Sequence, residues 1–152
     1  MNELFIQNSI EIHSNASNVW EVLTQSQHTI KYMFGCKAIT NWEIGSPLLW
    51  QGSYEGKDMV FVKGIVKEYI SEKLLIYSTI DPNNASIADI PENYLDVHYI
   101  IDKTDSGITL TIKQGNYKTV AQGEQRYNES IAGGGWQSIL EQIKTIAENL
   151  NS

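Results

Sequence analysis

Disulfide chemistry is missing from this sequence, because Cys36 is its only cysteine. A lone thiol makes neither an internal bridge nor a thiolate zinc cluster. At 152 residues the chain needs neither, since a domain of this length buries roughly 70% of its unfolded surface. Positive charge is also scarce: 11 Lys and Arg face 18 Asp and Glu, for a net charge of −7. Phosphate backbones and anionic membrane surfaces are repelled on average by such a chain, so nucleic acid is excluded as the expected partner. No stretch approaches the roughly 18 apolar residues of a membrane span, and the opening MNELFIQNSIEIHS is too polar for a signal peptide. These absences predict a cytoplasmic protein. Internal repeats, low-complexity tracts and linkers are absent too, and residues 1–152 read as one domain. Phenylalanine is short at three residues, whereas tryptophan (four) and tyrosine (eight) are plentiful. Rings with a polar handle favour partly wet walls, such as pockets and interfaces, over the driest core.

The elements follow from periodicity and turn chemistry. Leu4, Ile6, Ile10 and Ile12 alternate as in a half-buried strand. Ser14 or Asn15 can then cap a helix whose apolar positions Ala16, Val19, Trp20 and Leu23 share one face. A second short helix carries Ile30 to Phe34 and stops at Gly35. From Lys37 to Tyr117 nearly every signal is β: Ala38–Trp42, Leu48–Tyr54, Met59–Ile70, Lys73–Ile80, Tyr94–Lys103 and Ile108–Tyr117 are rich in branched and aromatic residues. Short turns separate most of them, which favours an antiparallel meander. The exception is Asp81 to Glu92, a long, Pro- and Asn-containing connection that reads as a mobile binding loop. The chain closes on an amphipathic helix with Trp136, Ile139, Leu140, Ile143, Ile146, Ala147 and Leu150 on one face. Gly133, Gly134 and Gly135 fall just before this helix or in its first turns.

A sheet with one apolar face and a helix with one apolar stripe bury both only by packing together. The expected fold is therefore α+β of the helix-grip type. A curved antiparallel sheet of about six or seven strands wraps a long C-terminal helix, with two short helices after the first strand. Such a grip does not close perfectly along the helix, and the gap is a place for a ligand.

Read together, IEIHSNASNVWEVLT, NWEIGSPLLWQGSYEGKDMVFVKGIVKEYISEKLLIYS, GITLTIKQG and GGGWQSILEQIKTIAENL resemble the START-like superfamily. The branch they resemble is that of the C-terminal domain of the activator of the 90-kDa heat-shock chaperone ATPase. Val19-Trp20, Leu23-Thr24, Trp42, Gly45, Trp50, the Gly64-x-Val66-x-Glu68 run, Leu75 and Gly135-Trp136 carry the likeness. It implies a helix-grip fold around a cavity that binds lipids, polyketides, hormones or other hydrophobic molecules, in some relatives with cyclisation or ring cleavage. It also implies a chaperone contact for the activator itself, which has a further N-terminal domain.

Candidate site residues follow from these two lines. Trp42, Trp50, Tyr77, Tyr99, Tyr117, Tyr127 and Trp136 supply more large amphipathic rings than a core of this size requires, so some should wall a pocket, with Trp42 the one assigned to the scaffold. Leu140 and Ile143 continue the stripe of the last helix. Glu68 shares strand parity with Val66, and if Val66 faces the cavity a carboxylate there orients a ligand's polar end. The bland reading is a wet residue at a strand end, paired with Lys73. His98 sits between Val97 and Tyr99 and points to the face opposite both, either as an ordinary sheet histidine or as a pocket acid or base. No histidine pair has metal-ligand spacing, and the acids Asp81, Asp89, Glu92 and Asp96 lack the order of a calcium loop, so no metal or other cofactor is expected. Cys36 reads as a small buried residue. The leading expectation is a non-enzymatic binder of a small hydrophobic or amphipathic molecule, with no catalytic residue assigned. Alternatives are a cyclase- or hydrolase-like enzyme using His98 or Glu68, and a chaperone-associated interaction module. An exposed edge strand or a Trp-bearing surface could support a homodimer.

Overall fold

The computed structural model describes residues 3–150. The elements run β1 (Ile6–Ile12), α1 (Ala16–Thr24), α2 (Ser26–Tyr32), β2 (Lys37–Ile39), β3 (Pro47–Tyr54), β4 (Lys57–Ile70), β5 (Leu74–Thr79), β6 (Leu95–Thr104), β7 (Gly107–Gly115), α3 (Gly123–Ala132) and α4 (Gln137–Asn149). The strands form one seven-stranded sheet in the order β1-β7-β6-β5-β4-β3-β2, and every pairing is antiparallel. A meander of β2 to β7 is thus closed at its β7 edge by the first strand. Two bulges in β4, at Phe61 opposite Trp50/Gln51 and at Lys67 between Val66 and Glu68, bend the sheet. The apolar stripe of α4 lies in the resulting hollow, against β1, α1 and α2.

Local chemistry fixes these elements. The Asn15 side chain accepts from the Asn18 amide at 2.7 Å and caps α1. Ile12, Val19, Leu23, Leu75, Leu110, Ile112, Leu140 and Ile143 are sealed from water in one core. A smaller cluster of Ile6, Leu95, Tyr117 and Val120 forms where β1 meets the turn after β7.

Several details differ from the sequence expectations. The strand expected over Ala38–Trp42 stops at Ile39, and Trp42 turns the chain with a φ of 62°. The last strand stops at Gly115 rather than Tyr117, which instead sits in a single 3₁₀ turn. The glycine run separates two helices, and α3 was hidden because its sequence GEQRYNESIA has few apolar positions to betray a period. At Gly135 the φ is 60° and a Cβ would lie 2.6 Å from Asn8 Oδ1, so the chain passes β1 only with glycine there. The long loop after β5 is pinned: Ile87 is buried, Asn83 Nδ2 donates to the Val60 carbonyl, and buried Asn93 donates to Ala88 and accepts from Ala121. No helix among the described residues is long and apolar enough to cross a membrane.

Candidate functional site

The core does not fill the concave side of the sheet. A chamber of about 350 Å³ remains between the sheet, the turn after α2 and the residue before α4. Trp50 of β3, Phe61 and Val62 of β4, Tyr77 and Thr79 of β5, Val97 of β6 and Gln114 of β7 form its floor and sides. Met33, Phe34 and Cys36 close one end and Trp136 closes another. Gly52 makes room for this wall, because a Cβ there would stand 2.9 Å from the Phe61 ring and 3.2 Å from Cys36 Sγ. Phe34 marks the mouth, with a φ of 54° and 86% of its surface exposed.

Trp136 is held as a wall rather than left as a loose ring. Its backbone amide donates to Asn8 Oδ1 at 3.0 Å and its indole Nε1 donates to Gln114 Oε1 at 3.1 Å. Both acceptors are polar residues in inward-facing rows that are otherwise apolar: Ile6, Asn8, Ile10, Ile12 on β1 and Ile108, Leu110, Ile112, Gln114 on β7. That interruption of the alternation was a readable signal for the site, and the aromatic count alone missed it.

Tyr77 carries the floor. Its ring lies 5.8 Å from Trp50 and 5.3 Å edge-on from Tyr99, and its hydroxyl bonds the Tyr99 hydroxyl at 2.6 Å. Burial, reinforced by the neighbouring tyrosines, pushes the Tyr77 hydroxyl well above the usual tyrosine range. Burial likewise pushes the Cys36 thiol up.

The chamber thus gathers Trp50, Tyr77 and Trp136 from the sequence candidates. Tyr99 lies behind Tyr77, and Leu140 and Ile143 are wholly buried in the packing of α4. Tyr117 stacks edge-on with Tyr127 at 5.9 Å in the smaller cluster, outside the chamber. Glu68 leaves it too. Val66 pairs with Tyr77 but Glu68 pairs with Ile76, because the bulge at Lys67 breaks the parity that would have carried the carboxylate inward. His98 also pairs with Ile76, on the opposite side of β5 from Glu68. Both therefore sit in one row on the outer face, about 10 Å apart at ordinary strand spacing. Burial pulls the His98 imidazole below its ordinary range. No acid and base meet in the chamber, where the titratable side chains are Tyr77 and Cys36.

A larger hollow of about 610 Å³ lies on the outer face beneath the long loop. Its charges are already matched: Lys63 pairs with Asp89 at 2.5 Å and Lys67 with Asp96 at 2.8 Å. The Tyr94 hydroxyl also donates to Asp89 at 2.6 Å, so the two acids that line this hollow are spent on lysines and a tyrosine. Among the described residues no group of three His, Cys, Asp or Glu converges as a metal site would require. The chamber is the smaller hollow but the apolar one, and it is the better place for a ligand.

A curved seven-stranded sheet gripping a helix over an unfilled apolar chamber is the architecture of the helix-grip, START-like proteins. The chain belongs to the Activator of Hsp90 ATPase homolog 1-like protein family, whose profile matches residues 13–148. Solved structures agree. ChR145 from Cytophaga hutchinsonii is 27% identical with a TM-score of 0.73, over 99% of this chain and 98% of that one. The Aha1 dimer from Colwellia psychrerythraea is 13% identical with a TM-score of 0.65, over 97% and 98% of the two chains. The di-domain ARO/CYC protein StfQ of the steffimycin biosynthetic pathway is 9% identical with a TM-score of 0.65, over 97% of this chain and 51% of that one. The likeness to the last two is one of fold. No curated protein matches the chain by sequence.

Proposed function

We propose that the protein is a single-domain binder of a small hydrophobic or amphipathic molecule, held in the chamber between the sheet and the helices. The observation that carries this reading is the unfilled space itself. Side chains as large as Trp50, Phe61, Tyr77 and Trp136 surround it without occupying it, although protein interiors otherwise pack as densely as organic crystals. Its volume of about 350 Å³ lies at the lower end of the range of roughly 300–1,000 Å³ for small-molecule sites. The cyclase- or hydrolase-like alternative loses the residues it relied on, since Glu68 and His98 are on the outer face. The dimer and chaperone readings draw no support from the chamber.

Cys36 offers a position-specific test, because the only thiol in the chain forms part of the chamber wall. A thermal-shift screen of fatty acids, sterols and flavonoids should find compounds that raise Tm, since a ligand at 100 times its Kd stabilises by about 2.7 kcal/mol. The same compounds should slow alkylation of Cys36. A screen in which no compound does both would sink the proposal.

A further inference from the structure

The chamber adjoins a second hollow of about 470 Å³, and Val62, Thr79 and Gln114 line both. This vestibule is polar. Tyr117, Ser130 and Arg126 line it, with Asp81 and Glu129 also on its walls. Arg126 is the only arginine in the chain. Among the described residues no carboxylate stands within ion-pairing distance of its guanidinium, whose one side-chain bond runs from Nη1 to the Ala121 carbonyl at 3.1 Å. A guanidinium carries five N–H donors, so most remain to be satisfied.

Gln114 stands where the two hollows meet, and its Oε1 is committed to the Trp136 indole. Its amide hydrogens must therefore point elsewhere, and they bond no described residue. Acceptors line the hollow as well, but the carboxylates bond elsewhere: Asp81 Oδ1 accepts from the Asn83 amide and Glu129 Oε1 from Gln125 Nε2, and neither bonds Arg126 or the Gln114 amide. Asp81 and Glu129 oppose an anion through their charge, but both are exposed to screening solvent whereas Arg126 is half-buried. The groove is thus apolar at one end and rich in unspent donors at the other.

We infer that the ligand is an amphipathic carboxylate, its hydrocarbon or aryl body in the chamber and its carboxylate received by Arg126 and the Gln114 amide. This rests on the binding proposed above and names the chemical class that the site selects. An arginine fork matches a carboxylate with two parallel hydrogen bonds, which a neutral alcohol cannot reproduce.

The test uses naphthyl carboxylic acids with acetate, propionate and butanoate arms, each beside its matched neutral alcohol. Affinities are measured by isothermal titration calorimetry, and chamber occupancy by protection of Cys36 from alkylation. The best acid should bind at least about tenfold tighter than its alcohol. R126Q should erase that preference, and its circular dichroism and Tm report that the variant is folded. K118Q removes the same charge from a residue outside both hollows and should keep the preference. Alcohol binding with Cys36 protection but no acid preference, or a preference that survives R126Q, overturns the carboxylate inference and leaves the chamber reading standing. Failure of every acid and alcohol to bind or to protect Cys36 overturns both.

Discussion

Two ends of one sheet carry the same kinds of ring and put them to different uses. At one end Trp20, Trp42 and Tyr69 pack as a solid: Trp20 meets Tyr69 edge-on at 5.3 Å and donates its indole N–H to the Tyr69 hydroxyl at 2.9 Å. At the other, Trp50, Tyr77 and Trp136 line an empty chamber. The difference is in what stands opposite the sheet. Helix α1 drives Val19, Val22 and Leu23, all fully buried, into the first end. Opposite the second stand the turn after α2, where Phe34 faces outward, and a glycine run with no side chains to offer. Aromatic content therefore does not distinguish a core from a pocket. The presence or absence of a helix face across from the rings does.

The sharpest way to break this comparison is to delete one ring from each end. Trp20→Ala should cost about 3–5 kcal/mol in urea unfolding, through lost burial, a cavity and an orphaned Tyr69 partner. Trp136→Ala removes a half-buried ring beside space that is already empty, and roughly 1–2 kcal/mol is expected. Equal losses would mean that the chamber end is packed as tightly as the other.

A smaller effect comes from adding volume. Val19→Phe places extra carbons in a sealed core and should cost about 1–3 kcal/mol. Val62→Phe places them in the chamber wall, where they have somewhere to go, and a change under about 1 kcal/mol is expected. Ligand affinity should nevertheless fall about tenfold in the second variant, because the added ring competes for the same space. Chemical denaturation and calorimetry on the pair read both numbers. Two equally destabilised variants would argue against an open chamber.

Periodicity and turn chemistry made most of the fold legible. The α4 stripe, the capped α1 and the meander of short-turned strands each follow from spacing that a single sequence displays. The site was harder, for a physical reason. Strand parity assigns faces only while the ladder is regular, and the bulge at Lys67 reverses it between Val66 and Glu68 with no mark in the apolar pattern. Parity did hold in β6, where His98 lies opposite Val97 and Tyr99 as its position between them requires. Tyr117 and Tyr127 stand outside the chamber: they stack on each other beside Ile6, Leu95 and Val120, Tyr117 in the turn after β7 and Tyr127 on α3, which no period announces. Conversely, Asn8 and Gln114 were visible as polar breaks in inward rows, and they are the residues that fix Trp136.

The smallest expected effect is a rate, and it asks whether the chamber is dry. Cys36 is buried in its wall, and burial disfavours the thiolate, so the thiol's pKa is raised. Only the thiolate is alkylated. In urea the rate should rise with pH and level off around the ordinary thiol value of about 8.5. In the folded protein it should start lower and keep rising past that value. The linkage sign agrees: a raised pKa favours the neutral thiol in the fold, so its contribution to stability is present below the unfolded pKa and declines as pH climbs through the folded one. A native profile that levels off at or below the unfolded one would show the thiol in contact with bulk water. The packed end has no thiol to compare, but Val22→Cys would put one there. Sealed behind α1 rather than beside a mouth, that thiol should react more slowly than Cys36 at every pH, and no chamber ligand should change its rate.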